Sequence, residues 1–390
     1  MIMALGCGGE LPTVRESPAP DDSPTPFQTR ASHYGGKQDP VRLEPAEETI
    51  WSNLSPRVSS CTLDPRLVSV ARKHARDLLA SGLGPGGDID HLRFSLEYLG
   101  GFDYALAPFV IDMSNGGEKA LERHVISHPN DWTHCGLGLA SVKDRTIAVW
   151  IGVRRAIDID PVPVTPLIGH VLTVRGRVVV DDMRVSSSFL GLPDGSVRRL
   201  ATTQIPGSDD FEVRVSFDRP GRHELELQTE NDCGPETAVL LPLYVDVNPD
   251  LRPIIVPSGA MASDLRPPEE ILAQMINSAR KKANLPALVI DSRLESVARS
   301  HNKDMVALSY FGHRSPDGTA LEDRLSTRGL APSSSAENVA RSHDVVIAHR
   351  NLMRSPSHRL NTMSREFTHM GLAVEQDDDS VVVTVVFARW

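Results

Sequence analysis

Leu63-Asp-Pro-Arg-Leu-Val-Ser-Val-Ala-Arg-Lys-His-Ala-Arg-Asp-Leu-Leu-Ala80 and Ile290-Asp-Ser-Arg-Leu-Glu-Ser-Val-Ala-Arg-Ser-His-Asn-Lys-Asp-Met-Val-Ala307 read as one helix written twice. They align without a gap and agree at ten of eighteen positions, among them Asp64/Asp291, Leu67/Leu294, Arg72/Arg299, His74/His301 and Asp77/Asp304. Average residue usage would give about one match. In the second stretch Leu294, Val297, Ala298, His301 and Met305 fall on one stripe at helical spacing, so the face that packs is legible. Working outward, Leu43-Glu-Pro-Ala-Glu-Glu48 precedes the first helix as Leu265-Arg-Pro-Pro-Glu-Glu270 precedes the second. Leu92, Leu96 and Gly100 recur as Leu321, Leu325 and Gly329, and Trp132-Thr-His-Cys-Gly-Leu137 recurs as Phe367-Thr-His-Met-Gly-Leu372 before an apolar strand. A repeat this long predicts a duplicated domain, because solenoid units run to roughly 20–50 residues.

The chain has 390 residues, 40% of them hydrophobic and 24% charged, with a formal net charge of −10. That length predicts two to three domains. The acidic balance argues against a nucleic-acid partner, which would want a clustered basic face. No run of apolar residues is long enough to span a bilayer as a helix. Met1-Ile-Met-Ala-Leu-Gly-Cys7 resembles the end of a bacterial lipoprotein signal, with Cys7 as the lipidated residue, although its apolar part is short and has no basic start. The following stretch to residue 40 is rich in Pro, Ser, Asp and Thr and reads as a solvated tether. On this reading the only membrane contact is a lipid anchor at Cys7, and the protein works outside the cytoplasm.

Residues 41–157 and 266–390 hold the two copies, each a mixture of helices and antiparallel strands that predicts an α+β layered domain. In the second copy helices are expected at 268–283, 291–308, 319–328 and 343–353, with strands at 369–375 and 381–388. Residues 163–248 read as all-β, with alternating strands such as Phe211-Glu-Val-Arg-Val-Ser-Phe217 and turns at Pro193-Asp-Gly195 and Arg219-Pro-Gly221. That spacing suggests a small immunoglobulin-like sandwich with no catalytic signature, joined to the second copy by a linker at 249–265. Cys61 and Cys135 align with the apolar Leu288 and Met370, so both are expected to be buried, either as a disulfide or as two free thiols. Cys233 has no evident partner in the sequence.

The second copy carries Ile276-Asn-Ser-Ala-Arg280, Leu285-Pro-Ala-Leu288, Phe311-Gly-His-Arg-Ser-Pro-Asp-Gly318, Ala336-Glu-Asn-Val-Ala340, Ser355-Pro-Ser-His-Arg359 and Phe367-Thr-His-Met-Gly371. In this order they resemble the CAP superfamily of cysteine-rich secretory, antigen 5 and pathogenesis-related proteins (SCP-like), in its short bacterial variety. The resemblance implies two CAP-like α-β-α sandwiches separated by the immunoglobulin-like domain, the first copy degenerate. It also implies a cleft lined by two histidines and two acids that holds a divalent cation in some members. By motif, His313 and His358 are the cleft imidazoles and Glu337 one carboxylate; the second acid would fall near Ser355, where this chain has none.

Two imidazoles and a carboxylate are also a familiar ligand set for Zn²⁺ or another divalent cation, and a familiar acid/base set. The bland reading is that they hydrogen-bond one another and hold the fold. The first copy has no Phe-Gly-His or Glu-Asn sequence and has a Gly-rich insertion, Gly82 to Asp90, in their stead. His91 lies too close to Leu92 to match His313, and His124 stands near the place of His358. His74 and His301 are expected to be hydrogen-bonded core residues, as are His134 and His369, while His343 and His349 are expected on a solvated helix. A Ser357–His358 hydrolase pair is disfavoured, since sequence neighbours in a Pro-containing turn seldom align as nucleophile and base. The leading expectation is therefore an extracytoplasmic binding or scaffold module for an extracellular or cell-envelope ligand, and not an enzyme. A metal-dependent hydrolase using His313, Glu337 and His358, and a lipid or sterol carrier, are the alternatives.

Overall fold

The computed structural model describes residues 27, 29–58, 60–81, 89–113, 117–126, 132–250, 266–377 and 380–390. Cys7, most of the Gly-rich insertion and most of the 249–265 linker lie outside them. Among the described residues no helix is long and apolar enough to cross a membrane.

The first third of the chain contains β1 (His33–Tyr34), α1 (Pro45–Leu54), β2 (Thr62–Leu63), α2 (Pro65–Ser81), α3 (Ile89–Tyr98), β3 (Leu106–Asp112), α4 (Gly117–Ile126), β4 (His134–Val142) and β5 (Arg145–Val153). The middle contains β6 (Ile157–Ile159), β7 (Val162–Pro163), β8 (Val171–Val178), β9 (Arg184–Gly191), β10 (Val197–Leu200), β11 (Thr202–Gln204), β12 (Asp210–Ser216), β13 (Gly221–Asn231) and β14 (Gly234–Val245). The last third contains α5 (Pro268–Lys282), β15 (Val289–Ile290), α6 (Ser292–Ala307), α7 (Leu321–Ser326), β16 (Ser334–Ser342), α8 (Val345–Arg354), α9 (Pro356–Thr362), β17 (His369–Asp377) and β18 (Ser380–Arg389).

The outer thirds use one sheet plan. The orders are β2-β4-β5-β3 and β15-β17-β18-β16, with the first pair parallel in each and the rest antiparallel. Register agrees too: Thr62 faces His134 as Val289 faces His369, and His134 faces Val153 as His369 faces Ala388. The repeated glycine explains why the sequence motif is shared. A Cβ on Gly136 would run into the α2 backbone at Leu67, and one on Gly371 into the α6 backbone at Leu294, so only glycine lets each helix lie directly on its strand. One tie recurs as well. Glu47 of α1 pairs with Arg72 and accepts from Leu139 N at 3.4 Å; Glu269 of α5 pairs with Arg299 at 3.8 Å and accepts from Val374 N at 3.4 Å.

Strand alternation divides each core into two layers. In β5, Ala148 and Trp150 pack with α1 and α4, while Val149, Ile151 and Val153 pack with α2 and α3. In β18, Val383, Val385 and Phe387 face α5 and α8, while Val386 and Ala388 face α6 and α7. Helix starts follow their caps: Asp291 accepts from Arg293 N at 2.9 Å and Asp344 from Ile347 N at 2.8 Å. Cys61 and Cys135 form a disulfide with Cα atoms 6.0 Å apart, on the α1/α4 side of the sheet.

In the middle, sheets β10-β9-β13-β14 and β11-β12-β8-β6 enclose one core that includes Val174, Phe211, Val213, Leu190, Leu225 and Leu241. β6 lies ahead of residue 163 yet pairs with β8. At the junction Arg155, between β5 and β6, is buried and meets Asp64 at 2.8 Å and Asp103 at 2.7 Å. Arg350 and Arg354 of α8 pair with Asp90 and Glu97 of α3, tying the last third to the first.

Candidate functional site

Glu337 sits in β16, a strand the sequence did not announce. Its neighbour Asn338 occupies the opposite face, as alternation requires. The Asn338 amide donates to His358 O at 2.9 Å and to Thr362 Oγ1 at 3.1 Å, fastening α9 to the sheet.

Glu337 is buried and receives three donors. Nδ1 of His301 lies 3.1 Å from Oε2, Nδ1 of His313 lies 3.0 Å from Oε1, and Nη2 of Arg324 lies 2.9 Å from Oε2. Burial would raise its pKa, but the hydrogen bonds from His301 and His313 outweigh burial and hold the carboxyl below the usual range. Arg324 also donates to His313 O at 3.1 Å and Thr319 O at 3.1 Å, so the same guanidinium shapes the loop that carries His313. That loop closes through Gly318 N to Ser315 O at 2.8 Å, with Gly318 at φ +89°, a conformation suited to glycine. Asp304 secures its other side, accepting from Tyr310 Oη at 2.7 Å and Ser315 Oγ at 2.6 Å.

His358 lies in the first turn of α9, and its Nδ1 is 2.8 Å from Ser355 Oγ. Burial and the nearby His313 push its pKa down to about 3, so it is neutral near physiological pH. His313 and Glu337 are thus in direct contact, whereas His358 joins them through its proximity to His313 and through Asn338. Among the described residues no three His, Cys, Asp or Glu side chains are grouped to hold a metal ion. Both Glu337 oxygens are already engaged by N–H donors, so a cation on this carboxylate would compete with them. Nε2 of His313 and of His358 makes no hydrogen bond among the described residues and remains the ligating atom of each ring.

Several expectations are modified. His301 is fully buried and hydrogen-bonded as expected, but its partner is the site carboxylate. His349 is half-buried with its Nε2 enclosed, and burial lowers its pKa to about 4. His343 is exposed and precedes the helix. His134 and His369 are half-buried, not core, and each lies beside the preceding threonine hydroxyl, at 3.1 and 2.8 Å. The Ser357 hydroxyl bonds Glu226 Oε1 at 2.9 Å, and His358 addresses Ser355, so no Ser357–His358 pair forms.

The middle sheets also touch the site. Glu226 of β13 reaches Ser355 and Ser357, and Cys233 O in the β13–β14 turn accepts from His313 N at 2.8 Å and Arg314 N at 3.0 Å. Asp232 and Cys233 line a shallow depression with Arg314–Gly318. Cys233 is a free cysteine whose thiol pKa is raised by burial. The sequence held no sign of these contacts, because the partners are far apart along the chain.

In the first third, register identifies what stands at the same places. Glu337 pairs with Val386 opposite Gly371, and the matching strand position, facing Ile151 opposite Gly136, is Pro108. Phe109 takes the place of Asn338 and stacks on His124 with ring centroids 3.8 Å apart.

Comparison with known proteins agrees with the sequence motifs. Residues 273–387 match the profile of the CAP family, described as the cysteine-rich secretory protein family. The uncharacterized protein YkwD of Bacillus subtilis is 32% identical over 108 residues, which are 27% of this chain and 41% of YkwD. An outer surface protein of Borrelia burgdorferi is similar at 24% identity over 32% of this chain and 95% of that one, with a TM-score of 0.31. An extracellular SCP-domain protein of Bacillus anthracis is similar at 18% identity over 69% of this chain and 71% of that one, with a TM-score of 0.31. The chain spans less than half the length of YkwD. Residues 273–387 of this protein are a CAP domain.

Proposed function

We propose that this is an extracytoplasmic binding or scaffold protein whose ligand, of the cell envelope or extracellular space, meets residues 266–390 near His313 and His358. The observation that carries the reading is the engagement of Glu337: with His301, His313 and Arg324 all donating to it, the carboxylate holds the fold and is a weak candidate for a base. Residues 41–157 are a degenerate copy of the same module, and an immunoglobulin-like sandwich at 163–248 separates the two. Support for the duplication comes from the common strand order, the two glycines under the helices and the Glu47/Glu269 ties. Support for degeneracy comes from Pro108 and Phe109 at the places of Glu337 and Asn338. The Cys61–Cys135 disulfide favours an oxidising compartment. Lipidation at Cys7 belongs to the same proposal.

Hydrolysis assays on peptide, ester and glycan substrates, with and without EDTA, test the reading. No turnover is expected in either condition. Activity lost in His358→Ala would replace it with the hydrolase reading. A divalent cation bound through His313 and His358 Nε2 is the second reading; near-stoichiometric zinc removed by EDTA and by His313→Ala would establish it.

A further inference from the structure

The buried carboxylate of Glu226 belongs to the middle sheets, yet most of its hydrogen bonds lie in the last third. It accepts from Ser355 Oγ at 2.8 Å, Ser357 N at 2.7 Å and Ser357 Oγ at 2.9 Å, and from its own sheet only Thr237 Oγ1 at 2.6 Å. Both Glu226 and Ser355 are fully buried. We propose that Glu226 is a positioning residue of the His313–His358 site and that it dictates the tautomer of His358. The site is therefore composite: the middle sheets supply one of its parts.

The count of protons decides the tautomer. A serine hydroxyl has one proton to donate. Ser355 gives its proton to Glu226 Oε1, because a carboxylate can only accept. What Ser355 Oγ then offers to its other neighbours is lone pairs. Those neighbours are His358 N, at 3.4 Å as part of the α9 cap, Ser357 Oγ at 3.1 Å, and His358 Nδ1 at 2.8 Å. The 2.8 Å contact then requires a proton on Nδ1, which leaves the lone pair of the neutral ring on Nε2. His313 likewise directs Nδ1 at an acceptor, the Glu337 carboxylate. Both imidazoles of the site thus carry a proton on Nδ1. For His358 that state depends on a residue 129 positions from Ser355 in the sequence. The Cys233 carbonyl, which receives His313 N and Arg314 N, is the second point at which the middle sheets fix the site. The tautomer is set in this way whether or not the site takes a ligand.

Long-range ¹⁵N–¹H correlation spectra of the full chain, histidine-labelled, dialysed against EDTA and held near neutral pH, read the tautomer directly. His358 is assigned by the signals lost in His358→Asn. In the unaltered protein Nδ1 should carry the proton and Nε2 should show the shift of a lone-pair nitrogen. In Glu226→Ala the Ser355 hydroxyl is released and can donate to Nδ1, so the Nε2–H form should appear and become a major population. Ser357→Ala removes that hydroxyl's contacts with Glu226, Ser355 and Gln228 but keeps both the Ser355–Glu226 and the Ser355–His358 contacts, and should leave the tautomer unchanged. If Glu226→Ala does not fold, Ser355→Ala is read in its place and should also abolish the preference for Nδ1–H. An Nε2–H tautomer in the unaltered protein overturns the proposal. So does an unchanged tautomer in Glu226→Ala, or in Ser355→Ala where that variant replaces it. An equal shift in Ser357→Ala also overturns it, since that would report loosened packing in place of a relay.

Discussion

Glu337→Gln should destabilise residues 266–390 by about 3–5 kcal/mol, the range for breaking a buried ion pair by removing one partner. The size follows from what the substitution strands. Three N–H donors converge on the carboxylate within 2.9–3.1 Å, one of them the buried Arg324 guanidinium. A glutamine keeps one acceptor oxygen and turns its NH₂ toward a donor, so at least one buried donor loses its partner, at about 1–3 kcal/mol. The guanidinium also loses its counter-charge. Against a domain stability of about 5–15 kcal/mol, the loss is a large fraction. Pulse proteolysis in urea, with peptides assigned by mass spectrometry to residues 266–390, isolates this third of the chain from the others. Arg324→Met in the Glu337→Gln background should recover part of the loss, because it removes the uncompensated charge. A cost below about 1 kcal/mol for the single substitution, or a double variant worse than the sum of the two, would refute the view that this carboxylate is a structural hub.

Acid should weaken the fold in a definite window. His358 has a pKa of about 3 in the folded chain against an ordinary value of 6.5, so the unfolded state takes up the proton first and stability falls as pH drops from about 6.5 toward 3. His358→Gln should flatten that slope by up to one proton, about 1.4 kcal/mol per pH unit at most, measured by urea midpoints across the window; His349, held at about 4, and His134 and His223, both lowered by burial, contribute to what remains. Gly371→Ala should cost about 1–3 kcal/mol or more by forcing α6 off β17, read as a lowered urea midpoint and faster hydrogen exchange in α6. Cys135→Ser, which opens a link between residues 74 apart, should cost about 2–5 kcal/mol in residues 41–157 and leave the urea midpoint of residues 266–390 unchanged.

Much of the architecture was legible before any coordinates. The helix stripe at Leu294, Val297, Ala298 and His301, the alignment of His74 with His301 and the glycine after each Thr-His are local or repeated patterns, and the packing they imply is local too. β16 was not legible. Its sequence, Ser334-Ser-Ala-Glu-Asn-Val-Ala-Arg-Ser342, lacks apolar alternation because Glu337 and Asn338 fill inward positions with hydrogen-bonding groups. His301 was placed correctly in the core, yet periodicity could not say that a carboxylate waits opposite it.

By itself the sequence determined that residues 273–387 carry the CAP motifs, that a similar pattern of residues stands at 63–137, and that His313, Glu337 and His358 are the residues to watch. Only the tertiary structure decided how those residues are occupied. It engaged Glu337 with three donors, set Pro108 and Phe109 at the matching strand positions of the first third, and brought Glu226 to Ser355 from another part of the chain. The reason is physical. Periodicity and turn chemistry report which way a side chain faces within its own element, whereas a hydrogen bond between strand β13 and the cap of α9 depends on how separately folded sheets and helices come to rest against each other.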